Sequence, residues 1–415
     1  MRDLCLQTEP RMLTLPEAQR LIETSIAPLA ETETVDLSEA LGRALAEPID
    51  SPLDLPQHDN AAMDGYALSS ADIRDGEPFE LPVVGTAWAG RPFQGNVLPG
   101  QCVRIFTGAI LPDSLDTVVM QEIVETFDNT VSFPDHIRPG QNVKKAGEDI
   151  ARNAELIKPP KTLTAADLGL LASAGVQNIP VVKKLKIAYL SNGDELTSIG
   201  SPLATGQIYD SNRYLLGALL KNAAFDTTDL GIVGDDKAAL EDRLSAAAKQ
   251  HDVILTTGGA SVGDADFIKD ILERCGTVDL WKIAIKPGKP LAFGSIGTCR
   301  FFGLPGNPVA VFATFSRIVL PALHRLAGMP PERPLQLQAI CDDTLKKSPG
   351  RLEFMRGRLT QTDSGELRVA SAGQQGSHIL TSLSRANCFI VLPADCSGIR
   401  PGDRVTVEPF SAWLG

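Results

Sequence analysis

Two lysines stand three residues apart in a stiff loop of the chain, Lys286-Pro287-Gly288-Lys289-Pro290. The two prolines restrict the backbone, so the loop would lose little entropy on binding, and its two ammonium groups would form a preformed clamp for an oxyanion. Lys282, four residues upstream, would add a third positive charge. The alternative is a solvated turn, since most lysines are exposed. A basic cluster in so acidic a chain favours the functional interpretation.

A second candidate site is the glycine-rich segment Gly258-Gly259-Ala260-Ser261-Val262-Gly263, which leaves a predicted strand and precedes a predicted helix. Glycines let the backbone approach a ligand closely, and the free N–H groups at a helix start attract phosphate. The hydroxyl of Ser261 adds a donor. We therefore consider Gly258, Gly259, Ser261 and Gly263 as phosphate-binding residues, with an ordinary strand–helix turn as the alternative.

Carboxylates follow the same strand ends: Asp194, Glu195, Asp235, Asp236, Asp264 and Asp266. Beside a phosphate they would repel it unless a divalent cation stood between, and Mg²⁺ is usually held by one or two carboxylates plus substrate oxygens. Asp264 and Asp266 could instead only satisfy the helix dipole. Asp236 is interpreted as the cap of the next helix, and Asp235 is compatible with either role.

The turn Gly303-Leu304-Pro305-Gly306-Asn307-Pro308 again joins a strand to a helix. Its glycine and asparagine could contact a ligand, although the same residues are ordinary turn formers. No His or Cys lies near these loops in the sequence, so Ser–His or Cys–His nucleophilic chemistry would need residues from other domains. Catalysis by a cation, ammonium groups and backbone dipoles on a phosphorylated substrate is the simpler interpretation.

The composition narrows the partners and the compartment. The chain has 415 residues, 39 Lys and Arg against 51 Asp and Glu, and a net charge of −12, which disfavours sequence-independent nucleic-acid binding. The N-terminus lacks a signal-peptide core, and charges or prolines interrupt each apolar run before membrane-spanning length. Seven Cys without a C-x-x-C pattern and only five His disfavour a zinc site and favour a hard cation on oxygen ligands. We expect a cytoplasmic protein with no membrane or nucleic-acid partner.

Several domains must position these residues, since this length allows two to four. Residues 1–50 are predicted to be helical from the cap at Thr14 and the apolar spacing, and a second helix is predicted over 165–174. Short β-like runs broken by Gly and Pro fill residues 51–150. The order predicts a small β domain (51–150) inserted into an elongated helical domain (1–50 and 151–183).

From residue 184 strands and helices alternate, which predicts an α/β domain (184–328) with a mostly parallel sheet. Such a sheet binds its ligand at the carboxyl ends of the strands. After the proline-rich break at 329–334, short strands separated by glycine-bearing turns predict a small C-terminal β domain (329–415), a barrel or a sandwich, and we take the barrel. The fold class is therefore multidomain, α/β plus β.

Several segments together resemble a known family. The stretch Asp59-Asn60-Ala61-Ala62-Met63-Asp64-Gly65-Tyr66-Ala67 is close to the D-N-S-A-M-D-G-Y-A signature of the molybdopterin molybdenumtransferases, the MoeA and gephyrin E-domain family. The other matching segments follow in the expected order and spacing: 107–109, 147–150, 257–263, 286–290 and 303–308. The chain departs from the family at Ala61, Asn192 and Ala260, where Ser, Thr and Val are usual. These exchanges affect hydrogen bonding but spare every charged position.

The resemblance implies four domains per subunit and an elongated homodimer, with each active cleft shared between the α/β domain of one subunit and the inserted β domain of the other. It also implies the reaction. Adenylylated molybdopterin is hydrolysed in the presence of Mg²⁺, molybdate is placed on the dithiolene, and AMP leaves. A molybdopterin adenylyltransferase is the expected partner.

The candidate residues take their roles from this match. Lys286 and Lys289, with Lys282, would hold molybdate, the glycine-rich segment would cradle the pterin phosphate, and Asp235 and Asp266 would serve the metal or position the substrate. Further catalytic positions implied by the match are Asp59, Thr107, Asp149 and Glu195. Further substrate-binding positions are Pro290, Pro305, Gly306, Asn307, Pro308, Arg356 and Ser382. For Asp149 a structural turn is the alternative.

Two other functions remain open from the sequence. Molybdopterin adenylyltransferases resemble the α/β domain alone, so the roughly 260 additional residues argue against that class, and ATP consumption would identify it. A non-catalytic scaffold of the gephyrin type is the second alternative. The retained charges at Lys286, Lys289, Asp235 and Asp266 favour catalysis.

Overall fold

A computed structural model describes residues 12–74, 76–258 and 265–410, with the backbone alone at 265–269 and 278–281. The α/β region is built on a six-stranded sheet. In spatial order its strands are Phe225–Val233, Leu185–Asn192, Val253–Thr257, Cys299–Leu304, Pro290–Ile296 and Gly276–Lys282. The first four run parallel and the last two are antiparallel additions.

The parallel part follows from the predicted alternation, because a helix returns the chain between successive strands. The helices of this region are Asn212–Leu219, Lys237–Ala248, Ala265–Cys275 and Pro308–Leu326. The antiparallel part is a hairpin at Gly297, whose φ of +59° suits glycine. The sheet is therefore mixed, and the prediction of a mostly parallel sheet holds for its first four strands.

The inserted region is a curled six-stranded sheet. Its strands, in spatial order, are Thr117–Met120, Gly65–Leu68, Cys102–Ile105, Phe79–Ala87, Thr130–Phe133 and Glu125–Phe127. Two separate apolar clusters line it, one around Val103 and one around Phe133. The short β-like runs predicted for residues 51–150 are confirmed in strands such as Phe79–Ala87 and Cys102–Ile105.

The helical prediction for residues 1–50 is wrong beyond the first helix. Leu15–Ser25 is helical with the expected capping box between Thr14 and Glu17, and its buried face joins the core of the α/β region. The strand Thr32–Asp36 then pairs with Asn178–Val182. Alternating polar and β-branched residues favour this strand, and the side chain of Asp36 caps only a single 3₁₀ turn.

The rest of this region contains the short strand Ile49–Asp50, which pairs with Glu155–Ile157. In the inserted region, Val143–Lys144 likewise pairs with Asn60–Ala61. The second predicted helix is confirmed as Ala165–Ser173, with Thr164 and Asp167 forming its capping box.

The C-terminal region forms a closed barrel of five strands: Leu337–Cys341, Leu352–Gln361, Leu367–Ser371, Cys388–Leu392 and Arg404–Pro409. The ring closes because Leu352–Gln361 pairs with both Leu367–Ser371 and Cys388–Leu392. A short helix, Leu380–Arg385, crosses between strands. The chain passes from the α/β sheet to the barrel just before the lysine loop: Gly276–Lys282 belongs to the α/β sheet, whereas Ile285–Lys286 pairs in parallel with the barrel strand Leu352–Gln361.

Among the described residues, one helix is long and apolar enough to span a membrane, Pro308–Leu326. It is mostly buried inside the protein, as expected of a core helix, because it packs against the α/β sheet on one side and the barrel on the other. Its middle, Phe315–Val319, is a π-helical turn.

A buried ion pair joins this helix to the barrel. Arg317 in the π-helical turn pairs with Glu408 in the last barrel strand, and their side chains are 3% and 5% exposed. The guanidinium also lies over the rings of Phe354 and Phe389. Both charges are removed from water, so each depends on the other for compensation.

We expect Glu408→Ala to lower the free energy of unfolding by about 3–5 kcal/mol, because it leaves the Arg317 charge buried without this partner. Urea denaturation of the purified protein measures the loss. The matched control is Glu31→Ala, which breaks the exposed pair with Lys183 and should leave the midpoint nearly unchanged. Equal midpoints for the two variants would contradict the prediction.

Candidate functional site

A buried polar network fixes the carboxyl edge of the α/β sheet. Ser191 and Thr257 end neighbouring strands, and their hydroxyl oxygens lie 3.0 Å apart. Ser191 Oγ also donates to Asp210 Oδ1 at 3.0 Å. Asn212 Nδ2 donates to the carbonyl of Gly306 at 2.7 Å, which ties the 306–308 turn to the loop after residue 208. The turns at this edge therefore hold one another in place.

Gly258 begins the glycine-rich segment at this edge. Its φ of +86° belongs to the left-handed region, and a Cβ at this position would lie 2.3 Å from the carbonyl oxygen of Asn192. Only glycine fits there without movement of the backbone. Gly259, Ser261 and Gly263 lie outside the described residues, as does the side chain of Asp266, so their predicted roles stay predictions.

The acidic residues at this edge have two different structural roles, capping a helix and bonding one turn to another. Asp236 caps helix Lys237–Ala248 by accepting from the N–H groups of Ala238 and Ala239, as predicted. Asp235 accepts from Asn192 Nδ2 at 2.9 Å and from the Asp194 N–H at 3.3 Å, while its own N–H donates to Asp194 Oδ1 at 2.9 Å. The departure from the family at Asn192 thus supplies an amide donor to Asp235.

Glu195 is exposed and turns back over Gly193, where a Cβ would lie 2.3 Å from Glu195 Oε2. Asp194 and Asp235 are bonded to each other on adjacent turns, and both are exposed to solvent at this edge.

The lysine loop borders a cavity of about 660 Å³. The cavity is lined by Lys286, Pro287, Gly288, Lys289, Pro290, Pro305, Gly306, Asn307, Ala310, Arg351, Gln375, Gly376 and Ser377. Gly288, with φ +111°, packs so closely on the core helix that a Cβ would lie 2.5 Å from Thr314 Oγ1. The structure therefore brings the predicted lysines and the 305–307 turn together around one space.

A second cavity, of about 220 Å³, lies beside the first and shares Gly306 and Asn307 with it. It is lined by Asn192, Glu195, Leu196, Ile208, Tyr209, Asp210, Ser211, Asn212, Thr257, Gly258, Gly306, Asn307, Pro308, His378 and Leu380. The two cavities form one crevice that leads from the lysine loop to the start of the glycine-rich segment. Lys282 lines neither cavity; it ends its strand opposite Pro290, and its carbonyl accepts from the Leu13 N–H.

The barrel contributes residues to the lysine site that the sequence did not predict. Arg351 and the segment 375–377 line the larger cavity, and Glu353, 5% exposed, pairs with Lys286 at 2.9 Å. These residues are distant from the lysine loop along the chain. The pairing of Ile285–Lys286 with the barrel strand, which brings them there, leaves no local signal in the sequence.

Arg356 and Ser382 are buried, bonded to each other at 3.1 Å, and line neither cavity. The Arg356 guanidinium donates to the carbonyls of Gln374 and Gly376, so it positions the segment that borders the larger cavity. Burial lowers the pKa of Arg356 to about 10. The geometry supports a positioning role, and direct contact with molybdate stays a prediction.

The inserted region holds its candidate residues on its own loops, outside both cavities. Asp59 accepts from Lys145 Nζ and from the Ala146 N–H, each at 2.8 Å, and these bonds hold the pKa of Asp59 below its usual value. Thr107 donates to Asp64 from both its N–H and its hydroxyl at 2.7 Å, and this lowers the pKa of Asp64. Asp149 is exposed, and its N–H donates to the Leu55 carbonyl.

Across the described ranges, no group of three His, Cys, Asp or Glu side chains is arranged to hold a metal ion. Two carboxylates, Glu195 and Asp210, line the smaller cavity, whereas Asp194 and Asp235 line neither. Carboxylate oxygen suits a hard cation that takes most of its ligands from substrate and water.

The fold is that of a multidomain α/β protein, and its crevice is lined by two lysines, an arginine and glycine-bearing turns. Residues 13–175 match the MoeA N-terminal region (domain I and II), residues 188–325 a probable molybdopterin binding domain, and residues 338–410 the MoeA C-terminal region (domain IV). The molybdopterin molybdenumtransferase of Haemophilus influenzae is 42% identical, over 97% of this chain and 100% of that protein. The chain belongs to the molybdopterin molybdenumtransferase family, a transferase family of molybdenum cofactor biosynthesis.

Other relatives agree with this assignment. Gephyrin of Dictyostelium discoideum is 33% identical over 90% of this chain and 59% of its own length. The crystal structure of the molybdopterin biosynthesis MoeA protein from Pyrococcus horikoshii superimposes with a TM-score of 0.82 at 29% identity, covering 96% of this chain and 100% of that one. Matches on both sides of the α/β region favour the transferase over a lone adenylyltransferase.

We expect Gly258→Ala to destabilise the protein more than Gly206→Ala. Both glycines have φ near +90°, so each substitution costs about 1–2 kcal/mol of backbone strain. Only at position 258 does the added Cβ also meet backbone, whereas nothing lies within 4 Å at Gly206. The urea midpoints of the two variants measure how much stability each substitution costs. Equal losses of stability would show that the backbone around residue 258 moves easily to accommodate the added Cβ.

Proposed function

We propose that this chain inserts molybdenum from molybdate into adenylylated molybdopterin, with release of AMP. The observation that carries the proposal is the crevice itself. Lysines border one end of it, and Thr257 and Gly258, at the start of the glycine-rich segment, border the other. Molybdate and the phosphate groups of the nucleotide are both oxyanions, so the two ends suit the two reactants.

At the lysine end, the ammonium groups of Lys286 and Lys289 would hold the tetrahedral dianion, with Arg351 as a third positive group. Rigid prolines on either side keep the ammonium groups in place before the ligand arrives, which lowers the entropic cost of binding. The net charge of −12 does not prevent anion binding at this site, because a local cluster of cations dominates the electrostatic potential inside a cleft.

At the other end, the approach of the Gly258 backbone and the turn 306–308 leave room for the pterin phosphate against amide groups. Glu195 lines the same cavity, and Asp235 is bonded to Asn192, which also lines it. Carboxylates at this position would order water for hydrolysis of the phosphoanhydride and accept its proton.

We also propose that the reaction depends on Mg²⁺ held by Asp235 and Asp266 together with phosphate oxygens. The cation would neutralise phosphate charge and polarise the bond that is hydrolysed. Asn192 and the backbone N–H of Asp194 orient the Asp235 carboxylate toward this task.

A homodimer is part of the proposal. Asp59, Thr107 and Asp149 lie on the inserted region, and the resemblance assigns them to the cleft of the opposite subunit. A molybdopterin adenylyltransferase would supply the adenylylated substrate, and a cytoplasmic location fits the acidic, free-thiol composition of the chain.

We expect Lys286→Ala and Lys289→Ala each to lower molybdenum insertion by about 100-fold or more, because each removes an ammonium group from the oxyanion site. Purified variants would be supplied with adenylylated molybdopterin, molybdate and Mg²⁺. Bound molybdenum and released AMP are then measured.

The control is Lys249→Ala, at an exposed helix end away from the crevice. It should insert molybdenum at the normal rate. Activity retained by both loop variants, with their fold intact, would remove the oxyanion role.

We expect chelation of Mg²⁺ to stop AMP release, and Asp235→Asn to raise the Mg²⁺ concentration for half-maximal release by about tenfold or more. The neighbouring Asp236→Asn is the matched control, because Asn also caps a helix and the change leaves the crevice untouched. An unchanged Mg²⁺ requirement in Asp235→Asn would refute the metal role of this residue.

A further inference from the structure

A buried carboxylate stands directly behind the lysine loop. Glu353 is 5% exposed and its Oε1 lies 2.9 Å from Lys286 Nζ, whereas the Lys286 side chain is 49% exposed. A buried acid beside a lysine assigned to anion binding is unexpected, because its negative charge opposes the incoming anion.

The backbone holds this pair together. Lys286 and Glu353 are direct partners in the parallel pairing of Ile285–Lys286 with the barrel strand, and the Leu352 N–H donates to the Ala284 carbonyl at 3.0 Å. The register of this strand pairing therefore places the two side chains next to each other. The ion pair does not depend on two mobile surface side chains coming into contact.

Most of the charged groups around the pair are positive. Three cavities meet at Lys286, and the other charged residues that line them are Lys289, Asp343, Lys346, Lys347 and Arg351. Lys347 Nζ donates to three backbone carbonyls, and Asp343 accepts from the Ser371 N–H. Glu353 is thus the acid that pairs with a cation of the lysine loop.

We propose that Glu353 positions Lys286 and acts as a built-in counter-charge that weakens oxyanion binding enough for the anion to be passed on. The inference rests on the proposed function, since it takes Lys286 as an oxyanion ligand. Binding that is equally tight before and during reaction does not raise the turnover rate. An oxyanion held by two lysines and an arginine without opposition would be a stable end state.

Tungstate and perrhenate test this charge effect. Both are tetrahedral oxyanions, but tungstate carries two negative charges and perrhenate one. Removing a nearby negative charge should favour the dianion twice as strongly in free energy. In Glu353→Gln, which keeps the size and the hydrogen-bond acceptor, we expect tungstate to bind about ninefold tighter and perrhenate about threefold tighter by titration calorimetry. In turnover, KM for molybdate and kcat should both fall.

Controls separate charge from packing. Glu353→Asp keeps the charge and should bind both anions within about twofold of the wild type. Glu353→Met, which is apolar and of similar length, should reproduce the result of Glu353→Gln. It replaces Glu353→Gln in the test if that variant does not fold.

The possible results separate a failure of the proposed oxyanion site from a failure of the role proposed for Glu353. If Lys286→Ala leaves tungstate binding unchanged, the proposed oxyanion site is wrong. If Lys286→Ala loses tungstate but neither uncharged variant tightens it, the site stands and the role of Glu353 is overturned. Equal changes for tungstate and perrhenate would likewise overturn the charge effect.

Discussion

The docking of the C-terminal barrel against the α/β region is the constraint on which the crevice depends. Strand Ile285–Lys286 leaves the α/β sheet and pairs with the barrel strand, so the lysine loop is held by both regions at once. The buried pair of Arg317 and Glu408 also joins the core helix to the barrel. Moving the barrel would move the lysines, because the loop begins as a strand of the barrel sheet.

This arrangement explains how an acidic protein presents a local positive site. The lysine loop, Arg351 and the 305–307 turn line the larger cavity, while the nearby acids Asp235 and Glu353 are engaged by neighbours. Asp235 is bonded by Asn192, and Glu353 is paired with Lys286. Such bonds fix where the negative charges lie, so the field within the crevice is set by local geometry and not by the net charge.

The sequence predicted the α/β alternation and the loops at its carboxyl edge, because both depend on local periodicity and on where strands end. The helical prediction for residues 26–50 failed because short polar segments form strands only with partners supplied by residues 155–182. Arg351, Glu353 and 375–377 were missed for the related reason that their proximity to Lys286 arises from pairing between domains. The predicted Arg356 proved to be buried, where it holds the cavity segment 374–376 in place.

The glycines and prolines at the crevice follow from how closely its backbone segments approach one another. The two cavities share Gly306 and Asn307, so one turn borders both ends of the crevice. At Gly258 an added Cβ would meet the Asn192 carbonyl, whereas at Gly306 it would make ordinary contact with the Gly258 Cα at 3.8 Å. Only Gly258 is therefore required by close packing. Pro305 and Pro308 restrict the backbone on either side of the shared turn, so the boundary common to both ends is fixed before a ligand arrives.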